Sequence, residues 1–414
     1  MQEQLTPIFE PTMDTPRLLI YEPNVGGHQA EFLTWLAEAW TRTGAGALVL
    51  AAPAGITQGR PALPAACEAS GGAVELVETG PAEAETGTFA HASAIRRAHP
   101  LQALIAAHRP AEVLLMSFEH FMAPLAARVR LVGTGRVSAL ALRPTLHYGA
   151  LGGPPAGVRT RAVRWARARF VRAAMQHPQF GTLFSLDPTA VPALRTLSPG
   201  VRVEAVPDPV PAEPVGLSRE AIREMYGVET GRHLFILPGA LDARKGAPAI
   251  PEALLRLPPE VAARIAVLLA GHVDPTIDAS LRDALDRTAR TTAAQAVLRD
   301  TFVPPDEIQS HVAAADTILL PYSPEHVGSS GFMMRAAGAR VPVLSTENGL
   351  MGHLTRTHCL GQTFADGPDA LATALASVLD APLAGFDGET AATFAARHTV
   401  AAFTNALLSP FLAV

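Results

Sequence analysis

The sequence predicts an α/β protein built from two Rossmann-like, doubly wound domains that face a central cleft. Short apolar runs alternate along the chain with longer segments that can form helices, a pattern typical of parallel sheets covered on both faces. A Pro-rich stretch interrupts the alternation at 207–216, after which it restarts. The chain has 414 residues, more than one hydrophobic core usually serves. We therefore expect two domains joined by a semi-rigid linker.

The N-terminal half begins with an apolar run at 18–21, which is followed by a glycine loop and a helical pattern. Apolar residues recur there at helical spacing, at Phe32, Trp35, Leu36, Ala39 and Trp40. Further strands are predicted at 47–51, 113–116, 137–141 and 182–184. These elements define a predicted N-terminal domain at 16–206, which follows a flexible N-terminus at 1–15.

The C-terminal half repeats the same alternation of strands and helices. Strands are predicted at 233–237, 265–270, 296–303, 317–320 and 341–344, which places a second Rossmann-like domain at 217–388. An amphipathic pattern from about Thr390 predicts a last helix within 389–414. We expect this helix to cross back and pack on the N-terminal domain.

The composition excludes several classes of function. Hydrophobic residues make up 48% of the chain and charged residues 17%, as in folded globular proteins. The net charge of -5 argues against a nucleic-acid partner, because phosphate backbones select strongly basic surfaces. Cys67 and Cys359 have neither a disulfide framework nor a metal-ligand spacing around them. The polar N-terminus and the absence of a long apolar run predict a cytoplasmic protein.

Ligands of doubly wound sheets bind outside the carboxyl ends of the strands, so we searched the loops that follow strands. The first such loop contains Gly26, Gly27 and His28 directly before a helix. Glycines let backbone N–H groups approach a ligand closely, and a helix N-terminus favours an anion. The alternative interpretation is an ordinary tight turn.

The second loop, PGALDARKG, follows the strand at 233–237 and contains Gly239, Arg244 and Lys245. Paired cations at this point could hold a diphosphate and stabilise it as a leaving group. The alternative is a solvated basic turn without a ligand.

The third loop precedes a helix predicted to start near Phe332. Its small residues expose backbone N–H groups and two hydroxyls, a plausible cradle for phosphate or sugar oxygens. Glu325 lies just upstream and Arg335 lies one turn into the helix. The alternative is a flexible connection. The residues of this turn are Gly328, Ser329, Ser330 and Gly331.

The order of these motifs resembles that of retaining GT-B glycosyltransferases of the family 4 type. The resemblance extends over 233–385 and rests on the KG loop, the stretch FVPPDEIQSHVAAADTILLPY, the Gly/Ser turn with its helix, and RVPVLS. It implies a nucleotide-sugar donor, UDP- or GDP-linked, and a hydroxyl acceptor such as a glycan, a lipid or a small molecule. No cofactor and no metal are implied, and the chain contains no Asp-x-Asp triplet.

The resemblance also implies roles for individual residues. Lys245 would bind the donor diphosphate, and Gly27 would lie near the transferred sugar. The backbone near Phe302 and Val303 would line the nucleobase pocket. His28 would line the cleft. A histidine beside the reacting sugar is expected in the N-terminal domain, where the two candidates are His120 and His147.

Three positions depart from the family pattern. Ala240 stands where an arginine is common, five residues before Lys245. Val327 and Arg335 stand where two glutamates often contact the donor, and Glu325 is two residues out of register. An arginine at 335 favours an additional negative charge or a structural ion pair. These departures keep two alternatives open, namely a sugar-nucleotide hydrolase or epimerase, and a degenerate scaffold or partner of another transferase.

The segment 158–175 predicts a helix rich in arginine. Its apolar stripe, formed by Val163, Ala166, Phe170 and Ala173, is expected to pack in the core. The alternative is that this basic helix docks peripherally on the anionic inner face of a membrane. The flanking arginines are Arg159, Arg161, Arg164, Arg167, Arg169 and Arg172.

Overall fold

The computed structural model describes residues 18–25, 28–80, 97–131, 135–144, 146–147, 151, 158–324, 326 and 328–412. These residues divide into two compact units. Unit 1 takes its described residues from 18–144, 158–206 and 403–412. Unit 2 takes them from 146–151 and 207–402. Residues 146, 147 and 151, the Pro-rich segment 207–216 and residues 389–402 all group with unit 2.

Unit 1 contains, within its described residues, a sheet of seven parallel strands in the order β3-β2-β1-β4-β5-β6-β7. The strands are β1 Leu18–Tyr21, β2 Leu48–Pro53, β3 Val74–Thr79, β4 Glu112–Leu115, β5 Arg136–Ala141, β6 Phe180–Ser185 and β7 Arg202–Ala205. The helices are α1 Gln29–Thr43, α2 Ala62–Ala69, α3 Ala98–His108, α4 Phe118–Ala126, α5 Val158–Met175 and α6 Val191–Leu197. A short 3₁₀ turn at Pro188–Ala190 precedes α6.

Unit 2 contains a described sheet of six parallel strands in the order β10-β9-β8-β11-β12-β13. The strands are β8 His233–Pro238, β9 Ile265–Ala270, β10 Gln295–Arg299, β11 Thr317–Leu320, β12 Val343–Thr346 and β13 Gly361–Phe364. The helices up to the middle of the unit are α7 Arg219–Met225, α8 Ala249–Leu254, α9 Pro259–Ala262, α10 Asp278–Thr291 and α11 Pro305–Ala314. They are followed by α12 Gly331–Gly338, α13 Gly349–Thr357, α14 Pro368–Asp380, α15 Gly388–Ala395 and α16 Val400–Leu412.

The predicted two-sheet α/β class is confirmed, and the predicted strands are present, several of them with shifted ends. Strand β10 ends at Arg299 rather than at 303, and the next residue, Asp300, accepts the Val273 N–H with its carboxylate at 2.9 Å. Strands β3, β7 and β13 escaped prediction. Strands β3 and β7 are short or alternate apolar residues with charges, as in VELVET and RVEA.

The predicted C-terminal helix is interrupted, which corrects the sequence interpretation. It consists of α15 and α16, separated by 396–399. The Thr399 hydroxyl accepts the Ala402 N–H at 3.1 Å and so starts α16 afresh. From Phe403 onward α16 belongs to unit 1, where Phe403 packs against Phe32 of α1 with ring centroids 4.9 Å apart.

Helix α5 is present, but the core-packed interpretation of its stripe is wrong for the first half. Val163 is 61% exposed and Ala166 is also exposed, whereas Phe170 and Ala173 are only half-buried. The buried face is offset and lies near the end of the helix, at Val171, Ala174 and Met175. Trp165, which the stripe did not include, is 64% exposed. Among the described helices of the chain, none combines the length and the apolar character needed to cross a membrane.

Each sheet has one point at which the strand order reverses direction. In unit 1 this point lies between β1 and β4, and in unit 2 it lies between β8 and β11. Crevices at such switch points are the usual ligand sites of doubly wound sheets. The loops that follow these four strands are therefore the positions to search for a site.

Candidate functional site

The two loops at the switch point of unit 2 are bonded to each other. The Ser323 N–H, after β11, donates to the Arg244 carbonyl oxygen, after β8, at 2.9 Å. Gly246 has φ +75°, and a Cβ on it would lie 1.8 Å from the Pro321 carbonyl oxygen. Only glycine allows this approach, so the KG dipeptide fixes the second loop against the loop after β11.

Lys245 lies between these loops with its ammonium group among aromatic rings. Its Nζ lies 5.3 Å from the centroid of the Phe332 ring, 5.9 Å from that of Tyr322, and 3.4 Å from the Pro238 carbonyl oxygen. Burial lowers the pKa of Lys245 to about 8, with the Arg244 guanidinium acting in the same direction and the Asp242 carboxylate opposing both. The protein thus holds a cation where burial disfavours it, which is common at functional sites.

The sequence also contains a signal at Lys245 that was not used to predict its role. The chain has 33 lysine and arginine residues, and Lys245 is the one lysine among them. Arginine serves every other cationic position. Lys245 is therefore the position where this chain uses a compact ammonium rather than a planar guanidinium. The space around it is correspondingly small, because a Cβ on Gly239 would lie 2.6 Å from its Nζ.

Arg244 adds a second, more exposed cation at the same loop. Its side chain is 46% exposed and pairs with Asp242 at 3.2 Å, and its Nη1 lies 3.3 Å from His326 Nδ1. The backbone N–H of Lys245 donates to the Asp242 carboxylate at 2.6 Å, so Asp242 fixes the loop that carries both cations. Two cations on a loop that one carboxylate fixes form a site suited to a multiply charged anion.

The Gly/Ser turn, residues 328–331, leads directly into α12 at the same switch point. Ser330 is the N-cap residue and is buried, but its hydroxyl bonds to the Tyr322 hydroxyl at 3.0 Å rather than to the helix. Burial raises the pKa of Tyr322 to about 12, so Tyr322 stays protonated. The first N–H groups of α12 have no cap from the Ser330 side chain, which leaves them suited to an anion. Glu325 lies outside the described residues.

Arg335 forms a structural ion pair, one of the two outcomes expected for it. Its Nη1 donates to Glu213 Oε2 at 2.6 Å, and the two side chains are 11% and 17% exposed. Ser329 is also bonded to the Pro-rich segment, since its Oγ donates to Asp208 Oδ2 at 2.8 Å. Neither acidic partner, Asp208 or Glu213, was among the predicted site residues.

Phe302 and Val303 follow β10, the outer strand of the sheet. Val303 is buried in the same apolar cluster as Tyr322, whereas the Phe302 ring is 72% exposed. Within the described residues, no hydrogen bond or ring contact joins Phe302 to Lys245 or Arg244. The exposed Phe302 ring is therefore available to stack on a ligand.

A partly buried polar network lies at the end of β10. Arg299 donates to the Tyr226 hydroxyl at 2.6 Å and pairs with the Glu307 carboxylate at 3.1 Å. His311 Nε2 lies 2.9 Å from the Tyr226 hydroxyl, and its Nδ1 lies 2.9 Å from the Glu307 carbonyl oxygen. Since that carbonyl can only accept, Nδ1 carries the proton and Nε2 accepts. Burial lowers the pKa of His311, which keeps this neutral tautomer.

His120 lies at the switch point of unit 1, in the first turn of α4. Its ring is 7% exposed, and Nδ1 has no hydrogen-bond partner among the described residues. Burial, assisted by the Arg97 guanidinium, lowers the pKa of His120 to about 4. At neutral pH the ring is therefore uncharged, with one buried nitrogen that a ligand hydroxyl could satisfy.

Glu119 fixes the start of α4 beside His120. Its carboxylate accepts the N–H groups of Leu142 and Arg143, after β5, at 3.2 and 2.8 Å. Burial raises the pKa of Glu119, and these hydrogen bonds oppose that effect. The rival histidine, His147, is also buried but groups with unit 2, not with the sheet of unit 1.

The first glycine loop is only partly described, because Gly26 and Gly27 lie outside the described residues. His28 precedes α1 and is 77% exposed, with Nδ1 2.6 Å from the Glu31 carboxylate. Glu22, at the end of β1, is 1% exposed and accepts both the N–H and the side-chain amide of Asn24. This buried carboxylate was not among the predicted site residues.

Over the described ranges, no group of three or more His, Cys, Asp or Glu side chains is placed to hold a metal ion. No protein-family model and no curated protein matches the sequence.

Solved structures with the same architecture do match, over nearly the whole chain. WaaG, a glycosyltransferase of lipopolysaccharide biosynthesis, matches with a TM-score of 0.61 at 16% identity over 96% of this chain and 99% of its own. HepE of Anabaena, solved with UDP and glucose, gives 0.63 at 13% identity over 96% and 100%. Sucrose-phosphate synthase of Thermosynechococcus elongatus gives 0.66 at 14% identity over 96% and 98%. The chain therefore has the fold of the GT-B glycosyltransferases.

Proposed function

We propose that this protein is a retaining, metal-independent glycosyltransferase that moves a sugar from a nucleotide-sugar donor to a hydroxyl acceptor. The observation that carries the proposal is the placement of the one lysine of the chain, Lys245, beside Arg244 and the Gly/Ser turn at the switch point of unit 2. This combination of cations and a helix N-terminus suits a diphosphate. The GT-B fold supports the same chemistry.

Lys245 and Arg244 would act on the leaving group of the transfer. Negative charge builds up on the diphosphate as its bond to the sugar breaks, and cations already in place stabilise that charge without reorganisation. The N–H groups at the start of α12 would add a partial positive charge at the same site. These groups together supply the charge that a divalent cation supplies in other transferases.

HepE supports UDP-sugars as the first donors to test, because its structures contain UDP and UDP-glucose. Phe302 and the backbone at Val303 are proposed to line the base pocket, with the Arg299 network holding their loop in place. GDP-sugars are the second donors to test. The base itself would be read by the loop backbone and not by a charged side chain.

His120 is proposed to bond a hydroxyl of the transferred sugar. A neutral imidazole can donate from one nitrogen and accept at the other, so it can orient a hydroxyl without adding charge. Its Nδ1 has no hydrogen-bond partner within the described part of the chain, which destabilises the ligand-free protein. A sugar hydroxyl bonded to Nδ1 would remove this penalty. Gly27 and His28 are proposed to border the same position.

The test is a panel of UDP-, GDP-, ADP- and CMP-sugars, first by thermal shift and then by turnover with an alcohol acceptor. We expect one base to raise the Tm, and we expect the anomeric configuration of the donor to be kept in the product. Lys245→Met should lose both the shift and the turnover, whereas Arg290→Met, at an exposed position of α10, should retain them. Turnover by Lys245→Met at the wild-type rate would refute the proposal.

One observation favours a second candidate function. Arg335 is tied to Glu213 and so is not directed freely toward a donor. A protein that has lost the usual carboxylate contacts could bind a nucleotide sugar without transferring it, or could hydrolyse or epimerise it. Binding without product would indicate a scaffold or partner protein, and product formed without any acceptor would indicate hydrolysis or epimerisation.

The exposed half of α5 supports a peripheral contact with an anionic membrane, where a lipid-linked acceptor would reside on the cytoplasmic side. Val163 and Trp165 are 61% and 64% exposed, and Arg169 lies 5.0 Å from the Trp165 ring. Exposed aromatic and arginine side chains on one helix suit a lipid surface. Trp165→Ser should reduce sedimentation with phosphatidylglycerol vesicles, and equal sedimentation of the two proteins would remove this part of the proposal.

A further inference from the structure

Two of the chain segments that connect the units are bonded to each other in unit 2, next to the Gly/Ser turn. The outbound segment, 207–214, carries Pro207, Pro209, Pro211 and Pro214 and leaves unit 1 after Val206. The return segment, 396–402, leads from α15 into α16 and back to unit 1 at Phe403. Proline limits the conformations of the outbound segment, so contacts at its few polar side chains define its position.

The outbound segment is bonded to the Gly/Ser turn through Asp208. The Ser329 hydroxyl donates to Asp208 Oδ2 at 2.8 Å. Ser329 directly precedes Ser330, the N-cap residue of α12. A bond at Ser329 therefore fixes the backbone at the point where the turn presents its N–H groups.

The outbound segment is bonded a second time, through Glu213, to the helix that follows the turn. Arg335 donates to both carboxylate oxygens of Glu213, at 2.6 and 3.4 Å. The pair is mostly buried, and a buried pair of this kind contributes defined geometry more than net stability. Asp208 and Glu213 thus hold the turn and its helix from the same short segment.

The outbound and return segments are also bonded to each other. The Val210 N–H donates to the His398 carbonyl oxygen at 2.9 Å. His398 Nδ1 donates to the Asp208 carbonyl oxygen at 3.1 Å, since a carbonyl can only accept. Asp208 therefore contacts the Gly/Ser turn with its side chain and the return segment with its backbone.

We propose that Asp208 and Glu213 are positioning residues for the Gly/Ser turn, and that they couple its occupancy to the two connecting segments. This inference rests on the proposed function, in which the turn binds the diphosphate of the donor. If the turn adopts its binding geometry only with Asp208 and Glu213 in place, then diphosphate binding must stabilise both segments in return. This reciprocity follows from linkage between the two events.

The test is amide hydrogen exchange of the full chain, with and without UDP. In the ligand-free protein, Asp208→Ala should speed exchange at 328–333 about tenfold, whereas Asp208→Asn, which keeps an acceptor oxygen for Ser329, should restore slow exchange. UDP should slow exchange at the amides of Asp208, Val210 and Thr399 in the wild type. Asp283→Ala, an exposed aspartate on α10, is the matched control and should change none of these amides.

Binding measurements separate positioning from a general loss of stability. Asp208→Ala should weaken UDP binding about tenfold at an unchanged Tm, and it should have no additional effect in the Ser329→Ala background. Reversing the buried pair, as Glu213→Arg with Arg335→Glu, should restore the affinity that either single change removes. If Asp208→Ala fails to fold, Ser329→Ala removes the same hydrogen bond and answers the same question.

Unchanged exchange at 328–333 in both Asp208→Ala and Ser329→Ala overturns the inference. So does UDP binding that leaves the connecting segments unaffected. If the wild type binds no nucleoside diphosphate, the proposed function is wrong. In that case amide hydrogen exchange at 328–333 in the ligand-free variants still shows whether Asp208 positions the turn.

Discussion

The ammonium nitrogen of Lys245 lies 5.3 Å from the centroid of the Phe332 ring, in a space that Gly239 leaves open by lacking a Cβ. Phe332 is the second residue of α12, so the cation and the start of that helix lie together. Such contacts with aromatic rings favour a cation but do not replace the water it loses on burial. Burying the Lys245 ammonium therefore destabilises the ligand-free protein, and an anionic ligand would offset this loss of stability.

Lys245→Met should stabilise the free protein at neutral pH. Burial lowers the pKa of Lys245 from 10.5 to about 8, so the folded protein binds this proton more weakly than the unfolded chain does. The variant should gain on the order of 2 kcal/mol of unfolding free energy at pH 7. The gain should shrink as the pH rises from 8 to 10.5, because the unfolded lysine then loses its charge as well.

Urea unfolding of the two proteins at pH 7 and at pH 10 measures this difference. Lys245→Arg serves as the comparison, because a guanidinium remains charged and does not fit the space beside Gly239, so that variant should be less stable than the wild type. A Lys245→Met protein less stable than the wild type at pH 7 would show that the lysine contributes to the fold rather than to a ligand site.

His120 should make the protein sensitive to mild acid. The pKa of His120 is lowered from 6.5 to about 4. Between pH 6.5 and pH 4 this histidine is therefore protonated in the unfolded chain but stays neutral in the folded protein. Stability therefore falls as the pH drops from 6.5 to 4. His120→Gln keeps a hydrogen-bonding side chain but cannot titrate, and its stability should fall less over this range.

The same variant tests the proposed role of His120 in turnover. We expect His120→Gln to bind UDP normally and to lower kcat about tenfold, the loss of one hydrogen bond to the sugar. His147→Gln is the matched comparison at the rival histidine. A lowered kcat in His147→Gln with a normal kcat in His120→Gln would show that His147, and not His120, bonds the sugar.

Gly246→Ala should destabilise the protein and remove donor binding. A Cβ at this position would lie 1.8 Å from the Pro321 carbonyl oxygen, so the loops after β8 and β11 must separate. We expect a cost of about 3 kcal/mol. Gly59→Ala is the control, since Gly59 also has positive φ but has open space around it, and it should cost about 1 kcal/mol. Equal melting temperatures for the two variants would contradict the close approach of the loops.

Phe302→Ala should weaken nucleotide binding without affecting the fold. The ring is 72% exposed, so its removal costs little packing, whereas a base stacked on it would lose that contact. We expect a Kd for UDP about tenfold higher at an unchanged Tm. Calorimetric titration measures the affinity, and an unchanged Kd would place the base elsewhere.

Buried strands were predictable from the sequence because their apolar runs end at polar loops. Strands β1, β9 and β11 match the predicted bounds for this reason. Strands such as β3 alternate valine and leucine with glutamate and give no continuous run. The break between α15 and α16 was not predicted either; there the His398 carbonyl oxygen accepts the N–H of Val210, a residue far away in sequence.

The candidate site was predictable where its residues lie in loops that directly follow strands. Arg244, Lys245 and the Gly/Ser turn follow strands directly, so local pattern places them. Asp208 and Glu213 contact Ser329 and Arg335 across 121 and 122 residues of sequence, and no local pattern indicates such a pair. The burial that shifts the pKa of Lys245 and His120 likewise arises only from tertiary packing.

The most direct test of the account labels the one lysine of the chain. Reductive methylation followed by mass spectrometry of the peptide containing Lys245 reports its reactivity, with the N-terminal amine as internal reference. Because the pKa of Lys245 is near 8, we expect rapid labelling of the free protein at pH 8 and strong protection by the UDP- or GDP-sugar that raises the Tm. Labelling of Lys245 that is unaffected by a nucleotide sugar bound at saturation would contradict the proposed diphosphate site.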